Sequence, residues 1–473
     1  MTEKNLYTPQ FHLKPPKGWL NDPNGLCQMN GVHHIFFQYS PDNPMGGRKS
    51  WGHYETKDYL HYQFTGTILE PDSREDRDGV YSGCAYVEED TMYLYYTGNV
   101  KQEGNHDYIY SGREGNTMLA ISKDGQNSMS KECLLRMEDY PENLSNHVRD
   151  PKVFYSNGSY YMVLGARTKE DKGCVLLYQS KDKKEWKFHH FIEKDDFGYM
   201  WECPDLFSLK GEQYLSVSPQ GLPREEYRYQ NIYQSGYFHA AKDLRTCGDG
   251  LEDFTEWDYG FDFYAPQTYL DERGRRILIG WMGVPDAEYE VEPSVQEGWQ
   301  HMLTLPRCLF VDKQTKRICQ MPLEEIKKLR RDLCFAGACK KEETFTELPD
   351  TYELLLSGFH PGNFKLLFDQ GFQISYDAKE NVCRFLFTDQ NMGWGRKERK
   401  IKLLPEEKIY NMRIFVDTCC MEVYMNDGAY VFTTKLFRTS KEGRSLSMEG
   451  MANQMQIYLL DSFVVKEEFS LEG

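Results

Sequence analysis

One pattern of apolar and polar positions occurs five times along the first 283 residues. In each copy, a run of aromatic and branched residues leads through a tight polar turn into a second such run, as in LCQMNGVHHIFFQYS and KVFYSNGSYYMVLGA. Asn30-Gly31 and Asn157-Gly158 favour two-residue hairpin turns, because both central residues of such a turn adopt positive φ. Each copy therefore predicts a β-hairpin. The copies begin at Leu26, Cys84, Lys152, Leu206 and Gln267.

A second repeat lies between these hairpins, where a short strand is followed by Thr, Ser or Ala and then by Lys-Asp. Its copies are residues 56–58, 122–124, 180–182 and 241–243. Because the two repeats interleave, each unit of roughly 55 to 70 residues holds two hairpins, which is the content of a four-stranded propeller blade. Five units predict a five-bladed β-propeller over about residues 5–318. Unrelated hairpins in a sandwich are the alternative, but they would not repeat in phase in two registers.

The pattern changes after the last blade. The segment PLEEIKKLRR places Pro322 at a first helical position and Leu323, Ile326 and Leu329 on one side, which predicts a short connecting helix. The strands predicted beyond it lack the blade repeat and are typical of a sandwich. We therefore expect an all-β protein with a propeller over residues 1–320, a linker with a short helix over 321–339 and a β-sandwich over 340–473.

The composition excludes several classes of partner. Lys and Arg number 56 against 73 Asp and Glu, so the net charge is −17, and an acidic chain repels nucleic acid and anionic lipid. The longest apolar stretch, residues 277–285, is far shorter than the roughly 18 residues that span a bilayer. The first 17 residues lack the apolar core of a signal peptide, which predicts a cytoplasmic protein.

The thirteen cysteines are scattered along the chain, without a Cys-x-x-Cys pair or a nearby histidine. This spacing predicts neither a disulfide framework nor a zinc site. We expect reduced, mostly buried thiols.

The residues just before each blade's hairpin occupy one place in every repeat: WLNDPNG, YSG, VRDP, WECP and FYAPQ. Asp22, Ser82, Asp150 and Glu202 each stand seven or eight residues upstream of a hairpin turn. Equivalent positions of a propeller face the same central channel, so three carboxylates are expected to meet at one mouth of it. Crowded carboxylates repel one another and lose hydration, which favours a chemical role over a structural one. An acid paired with a nucleophile is what glycosidic cleavage requires.

Each motif also has a simpler interpretation. Asn-Asp-Pro-Asn-Gly can be only a turn, and Arg149-Asp150 only a surface ion pair. The shared phase of the motifs favours the functional interpretation. The tryptophans raise the same choice, since a ring can pack in the core or stack on a sugar. For Trp201 the two interpretations are about equally favoured, whereas sugar stacking is favoured over core packing for Trp51 and Trp281.

The chain closely resembles glycoside hydrolase family 32, which contains invertases, sucrose-6-phosphate hydrolases and fructan hydrolases. The motifs that carry the resemblance are FHLKPPKGWLNDPNG, VRDP, WECP, WGH, YSG, FYAPQ and LTLPR. The resemblance runs through the propeller and into MRIFVDTCCMEVYMNDGAYVFTT, which is similar to the family's C-terminal sandwich. It implies that Asp22 is the nucleophile, Glu202 the general acid/base, and Asp150 a stabiliser of the transition state. Tyr81 departs from the family's usual Phe. The other substrate-binding residues that the resemblance implies are Trp19, Leu20, Asn21, Gln38, Trp51, Tyr81, Ser82, Arg149, Tyr264, Gln267 and Trp281.

The implied reaction is hydrolysis of terminal β-D-fructofuranosides with retention of configuration, through a covalent fructosyl-enzyme and without metal or organic cofactor. Crowding by Asp22 and Asp150 is expected to favour neutral Glu202, and Arg149 to keep Asp150 charged. Three alternatives stay open: an exo-acting fructan hydrolase, an inverting arabinan or xylan hydrolase, and a non-catalytic carbohydrate-binding propeller. The Asp22 and Glu202 motifs argue against the last two.

The expected substrate is a small sugar, either sucrose 6-phosphate, sucrose or a short fructo-oligosaccharide, bound by a monomer or a homodimer. A phosphate requires local positive charge in this acidic chain. Arg48 and Lys49 precede Trp51 by two or three residues and are candidates for this role. An exposed basic turn is the alternative for this pair.

Overall fold

Five antiparallel sheets follow one another along the first two thirds of the chain. The computed structural model describes residues 6–128, 130–313, 315–360, 362–440 and 442–467. The first two sheets contain β1 (Gly18–Met29), β2 (Val32–Ser40), β3 (Ser50–Thr56), β4 (His61–Leu69), β5 (Val80–Glu88), β6 (Thr91–Lys101), β7 (Arg113–Ser122) and β8 (Lys131–Leu135). The next two contain β9 (Leu144–Ser156), β10 (Ser159–Thr168), β11 (Gly173–Ser180), β12 (Lys187–Glu193), β13 (Met200–Leu209), β14 (Glu212–Gln220), β15 (Gly236–Ala240) and β16 (Leu251–Glu256).

The fifth sheet is less regular, because two short strands interrupt it. Its strands and the two short ones are β17 (Tyr264–Leu270), β18 (Arg276–Met282), β19 (Trp299–Gln300), β20 (Met302–Leu303), β21 (Arg307–Val311) and β22 (Ile318–Pro322). Strand β20 pairs with β18, whereas β19 crosses to the first sheet and pairs in parallel with β1. This last pairing joins the fifth sheet to the first and helps to close the ring.

The first strands of the five sheets, β1, β5, β9, β13 and β17, contact one another in turn, and β17 contacts β1 again. They therefore surround a central channel, which confirms the predicted five-bladed propeller. The predicted turns also form: Asn30 and Gly31 have φ of 52° and 76°, and Asn157 and Gly158 have 50° and 76°. These values match the left-handed geometry that selects Asn-Gly in a hairpin.

Two six-stranded sheets form the predicted sandwich. Their facing side chains make one apolar core, in which the rings of Phe385 and Phe432 stack with centroids 3.8 Å apart. The strands are β23 (Arg330–Cys339), β24 (Glu342–Leu348), β25 (Tyr352–Phe359), β26 (Phe364–Phe368), β27 (Phe372–Asp377), β28 (Val382–Phe387), β29 (Glu398–Lys402), β30 (Asn411–Val416), β31 (Cys420–Met425), β32 (Tyr430–Lys435), β33 (Arg444–Glu449) and β34 (Ala452–Leu460). Helix α1 (Gln390–Gly393) lies between β28 and β29, and 3₁₀ helices span Met137–Asp139, Pro293–Glu297 and Glu324–Leu329.

The linker differs from its prediction in two details. The helix is a 3₁₀ helix that begins at Glu324, because Pro322 is the last residue of β22 and pairs there with Arg307. Residues 330–339, assigned to the linker from the sequence, form β23 and pair with β34 of the sandwich. The apolar side of the helix is as predicted, since Leu323, Ile326 and Leu329 are buried between the two domains. A last strand, β35 (Val464–Glu467), returns to the propeller and pairs in parallel with β4.

The outer face of strands β30 to β32 packs against the propeller, and charged side chains are buried in this contact. His12 lies 2.8 Å from Asp417 and 3.0 Å from Glu422, and Arg307 donates to Glu422 at 2.7 Å. We call His12, Arg307, Asp417 and Glu422 the interface cluster. Burial disfavours a charged imidazole, but the bonds to both carboxylates raise the pKa of His12 to about 9. Among the described residues, no helix has the length and apolar character needed to cross a membrane.

Candidate active site

Each of the five innermost strands carries one extra residue relative to its partner strand at the place of the predicted motif. In β1 the pairing shifts between Leu20 and Pro23, and in β13 it shifts between Glu202 and Asp205. Strands β5, β9 and β17 shift at the corresponding motifs. Such bulges bend the strand and redirect its side chains. The shared phase of the motifs in the sequence therefore corresponds to a shared bulge in the structure.

The bulges explain why proline follows so many of these motifs. Pro23, Pro151, Pro204 and Pro266 all lie in the shifted segments, where a missing N–H removes no ladder hydrogen bond. The backbone is also strained there, since Asp150 has a φ of 64°, Cys203 of 47° and Ala265 of 45°. Positive φ is uncommon for residues other than glycine, and strain of this kind concentrates at functional sites.

A cavity of about 740 Å³ opens at this end of the channel, and all three predicted carboxylates line it. The fifth blade, the loop before β19 and Arg396 of the sandwich complete its wall. The predicted residues that line the cavity are Trp19, Asn21, Asp22, Gln38, Lys49, Tyr81, Arg149, Asp150, Glu202, Tyr264 and Trp281.

Asp22 accepts hydrogen bonds on both oxygens. Asn21 Nδ2 donates to Oδ1 at 3.1 Å, and Ser82 Oγ donates to Oδ2 at 2.6 Å. Gln38 holds both donors, because its Nε2 donates to Ser82 and its Oε1 accepts from Asn21. Trp19 in turn donates its indole N–H to Asn21 Oδ1 at 2.9 Å. These hydrogen bonds hold the side chain of Asp22 in one orientation and stabilise its ionised form.

Asp150 is tied to the bulge that carries Glu202. The Cys203 amide donates to Asp150 Oδ2 at 2.8 Å, and the Cys203 thiol lies 3.7 Å from Asp22 Oδ2. The Asp150 amide donates to Thr97 Oγ1 at 2.9 Å. Cys203 thus contacts two of the carboxylates and adjoins the third, so the three acids are close together although they are far apart along the chain.

Glu202 is surrounded by donors. Arg149 donates to Oε1 from Nε at 3.0 Å and from a terminal nitrogen at 2.8 Å. Gln220 and Tyr264 both donate to Oε2 at 2.7 Å. The charge of Arg149 lowers the pKa of Asp150, as expected, but the hydrogen bonds of Arg149 go to Glu202 in the next blade.

The carboxylates respond to burial and to each other. Burial raises the pKa of Asp22, as does the charge of Glu202, while Ser82, Asn21 and Lys49 oppose the shift. Burial, with the charges of Glu202 and Asp22, raises the pKa of Asp150 to about 7 against the opposing charge of Arg149. Both shifts favour the protonated form of these two acids relative to a carboxyl group in water.

Five predicted residues stand outside the cavity wall. Trp51 is fully buried in the core and donates its N–H to the Tyr81 carbonyl at 3.0 Å, so its core alternative is the correct one. Leu20 is likewise a core residue. So is Trp201, which was not among the predicted site residues. Gln267 links two inner strands, accepting from the Leu26 amide and donating to the Gly83 carbonyl. The others outside the wall are Ser82, which acts through Asp22, and Arg48, which is exposed.

The structure adds residues that the sequence analysis missed. Gln220, the last residue of β14, donates to Glu202, but it lies beyond the position that aligns with Gln38 in the hairpin repeat, so the repeat did not single it out. No repeat or motif pointed to the rest. They include Arg113, His147, Arg167, Tyr199, Tyr233 and His301.

Comparison with known proteins agrees with this geometry. The model of the glycosyl hydrolases family 32 N-terminal domain matches residues 12–322, and that of the family's C-terminal domain matches residues 357–466. A sucrose-6-phosphate hydrolase of Bacillus subtilis is 38% identical over 90% of this chain and 88% of its own length. A raffinose invertase of Escherichia coli is 35% identical over 94% of this chain and 92% of its own length.

Solved structures are similar over nearly the whole chain. The structure of a sucrose-6-phosphate hydrolase from Lactobacillus gasseri has a TM-score of 0.86 at 28% identity and covers 97% of this chain and 94% of its own. A mutant of a Bombyx mori GH32 beta-fructofuranosidase in complex with sucrose has a TM-score of 0.83 at 29% identity, over 98% and 96% of the two chains. With both domains matched and the bulged carboxylates in place, the chain belongs to glycosyl hydrolases family 32.

Proposed function

We propose that this glycoside hydrolase is a retaining β-fructofuranosidase acting on sucrose 6-phosphate or sucrose. The observation that carries the proposal is the meeting of Asp22, Asp150 and Glu202 at three equivalent bulges on one cavity. Relatives named sucrose-6-phosphate hydrolase and raffinose invertase, and a sucrose complex of a similar structure, support the choice of substrate.

In the first step Asp22 attacks the anomeric carbon of the fructosyl unit while Glu202 protonates the departing oxygen. The hydrogen bonds from Ser82 and Asn21 suit this role of Asp22, because they stabilise its ionised form and aim it. In the second step Glu202 takes a proton from water, which attacks the fructosyl-enzyme. Its four donor contacts, from Arg149, Gln220 and Tyr264, suit the ionised state that this step requires.

Asp150 binds hydroxyls of the fructosyl unit and stabilises positive charge that develops on the ring. Its fixed position supports this role, since the Cys203 amide holds one oxygen and the backbone of Asp150 itself is bonded to Thr97. An inverting hydrolase is disfavoured, because the motifs that carry Asp22 and Glu202 lie in the segment that matches the family 32 N-terminal domain. A non-catalytic binding module does not require the paired acids at all.

The configuration of the first product tests the mechanism. We expect fructose to appear initially with the β configuration of the substrate, as followed by NMR in the first minutes of hydrolysis. Initial release of the α anomer would exclude Asp22 as a covalent nucleophile. Sugar binding without any hydrolysis would instead favour the binding module.

The wall contributed by β7, β9 and β10 supports a phosphorylated substrate. Arg149 and Arg167 pair with Glu202 and Asp171, but Arg113 pairs with no carboxylate among the described residues. Burial lowers the pKa of His147 to about 2, together with the charges of Arg149, Arg113 and Arg167. Positive charge is thus concentrated on one side of a cavity in an acidic protein. A phosphate dianion would complement it.

Lys49 is a further basic residue of the cavity wall. It lines the cavity, and its ammonium lies 4.8 Å from the centre of the Trp19 ring. Burial lowers the pKa of Lys49 to about 8 in spite of the nearby charge of Asp22. Of the two basic residues suggested by the sequence, Lys49 therefore stays a candidate, whereas the exposed Arg48 does not.

Arg113→Gln tests the phosphate wall. We expect kcat/KM for sucrose 6-phosphate to fall about tenfold or more, equivalent to about 1.4 kcal/mol, while kcat/KM for sucrose changes little. Arg48→Ala is the matched control and should leave both values unchanged. Equal losses on both sugars would remove Arg113 from phosphate recognition and leave sucrose as the preferred substrate.

A further inference from the structure

A chain of buried charges links the sandwich to the cavity wall. Arg396 donates to both oxygens of Asp262 at 2.7 Å and to Glu292 Oε1 at 3.2 Å. Lys435, the last residue of β32, donates to the same Glu292 oxygen at 2.5 Å. Its ammonium also lies 2.6 Å from Nδ1 of His301. Lys435 does not line the cavity, but Asp262, Glu292, Arg396 and His301 all do.

The contact between Lys435 and His301 has only one chemically consistent form. An ammonium group has donors and no acceptor, so Nδ1 of His301 must accept. A neutral imidazole that accepts at Nδ1 carries its hydrogen at Nε2. Burial, together with the charges of Lys435, Arg396 and Lys49, holds the pKa of His301 well below its usual range. The imidazole is therefore neutral, with its N–H at Nε2.

His301 is placed to use that hydrogen in the cavity. Its ring lies edge-on to two indoles, 4.3 Å from Trp19 and 5.0 Å from Trp281 between centroids. Within the described parts of the chain, no group bonds to Nε2 of His301. The indole N–H of Trp281 is buried and also lacks a partner there. A buried donor without a partner costs about 1–3 kcal/mol, so a wall that holds the unpaired N–H of Trp281 beside the Nε2 donor of His301 suits a ligand rich in oxygen acceptors.

The backbone conformation of His301 also indicates a functional position. His301 has a φ of 70° and lies between the two short strands β19 and β20, which pair with different sheets. A bulky residue in the left-handed region is strained, and it persists only where its surroundings determine it. The contacts with Lys435 and the two indoles are those surroundings.

We propose that His301 binds substrate by donating its Nε2 hydrogen to a hydroxyl of the sugar, and that Lys435 is a positioning residue that fixes the required tautomer from the sandwich domain. The contact with sugar rests on the proposed function, whereas the tautomer does not. The sandwich thereby acquires a part in substrate recognition, through one side chain that never touches the substrate.

The tautomer is tested by nitrogen NMR on the full-length protein labelled with ¹⁵N-histidine, with His301 assigned by its absence in His301→Gln. We expect one neutral form with the hydrogen at Nε2 from pH 5 to pH 8. In Lys435→Met the donor to Nδ1 is lost and Glu292, 3.8 Å from that nitrogen, becomes the neighbour that matters. His301 should then take up a proton as the pH falls. A hydrogen at Nδ1, or a charged ring, in the unmodified protein overturns the assignment.

The contact with substrate is tested by kinetics and by binding. His301→Leu should raise KM for sucrose about tenfold while kcat changes less than about threefold, because the bond forms equally in the bound and transition states. His301→Gln keeps an N–H donor and should recover part of the loss. Lys435→Met should raise KM in a manner that depends on pH, and Lys365→Met, elsewhere on the sandwich, should not.

Binding separates the failure of this inference from failure of the proposed function. Sucrose added to the Asp22→Asn protein should shift the His301 nitrogen signal even though no hydrolysis occurs. No shift, with KM unchanged in His301→Leu, overturns the substrate contact. A shift in the Asp22→Asn protein, combined with no hydrolysis of any fructofuranoside by the unmodified protein, would leave the contact standing and overturn the proposed function.

Discussion

The carboxyl groups of the cavity and those of the interface cluster have the same chemistry but opposite shifts in pKa. Both groups are buried and both place carboxylates beside basic residues. In the cavity, three carboxylates crowd around Arg149, and the pKa values of Asp22 and Asp150 are raised by burial. In the interface cluster, burial is outweighed by His12 and Arg307, so the pKa of Asp417 is lowered and that of Glu422 falls to about 2.

The difference lies in how many cations each group of acids has as partners. Glu422 bonds to His12 and Arg307, and Asp417 bonds to His12 and three backbone amides. Asp258 shows the effect of having fewer cationic partners. It shares Arg307 with Glu422 and bonds to no histidine among the described residues, and burial raises its pKa. Cationic partners thus keep the pKa of a buried carboxyl group low, whereas burial raises the pKa of carboxyl groups that have too few of them.

Asp22→Asn should produce the largest effect and separate activity from stability. We expect kcat for sucrose to fall by at least about four orders of magnitude, because the nucleophile is lost. The melting temperature should stay the same or rise, since a crowded charge is removed. Steady-state kinetics and thermal unfolding measure the two effects. A large fall in melting temperature would show that Asp22 is structural, like the acids of the interface cluster.

Arg307→Met makes the converse change in the interface cluster. It leaves Glu422 and Asp258 buried without their shared guanidinium, so the protein should lose about 3–5 kcal/mol of unfolding free energy. Urea unfolding at pH 7 measures this. Little loss of stability would mean that the two regions do not differ as their partners indicate.

Glu202→Gln should affect substrates differently. We expect a loss of about 100-fold or more in kcat/KM for sucrose, whose leaving group requires a proton. A fructosyl substrate with a leaving group that needs no proton should lose much less. Initial rates on both substrates provide the comparison, and equal losses would count against Glu202 as the acid.

The pH dependence of stability should show the smallest effect. Because the pKa of His12 is raised from 6.5 to about 9, its contribution is complete below about pH 6.5 and disappears as the pH rises through 9. We expect a loss on the order of 2 kcal/mol between pH 6.5 and 9.5. Unfolding of His12→Gln over the same range is the control, and its stability should vary less. Parallel curves for the two proteins would exclude a charged His12.

Asp150 in the cavity should act in the same sense as His12 and in the opposite sense to Glu422 of the interface cluster. A carboxyl group whose pKa is raised, as in Asp150, favours the folded state below its unfolded pKa of 3.8, and that contribution is lost as the pH rises through about 7. Glu422, with its lowered pKa, contributes above pH 4.5 and loses its contribution as the pH falls towards 2. As the pH falls from 7 towards 2, Asp150 therefore increasingly favours the folded state, whereas Glu422 loses its stabilising contribution.

The sequence alone determined the architecture and the identity of the acids. Hairpins such as Asn30-Gly31 are local, since two residues with positive φ select the turn, and their repetition defined five blades. Equivalent positions in a repeat face the same axis, so Asp22, Asp150 and Glu202 were placed together without any contact being known. The family motifs led to the same residues.

Only the tertiary structure decided which neighbouring side chains reach the cavity. A bulge adds one residue and turns the side chains after it, and the sequence does not show which way, so Trp51 and Gln267 lie behind the wall that they were expected to line. Arg149 bonds to Glu202 because two blades bring them together across 53 residues. The meeting of His301 with Lys435 spans 134 residues and two domains. Such contacts depend on packing between distant segments, and no local pattern of residues encodes them.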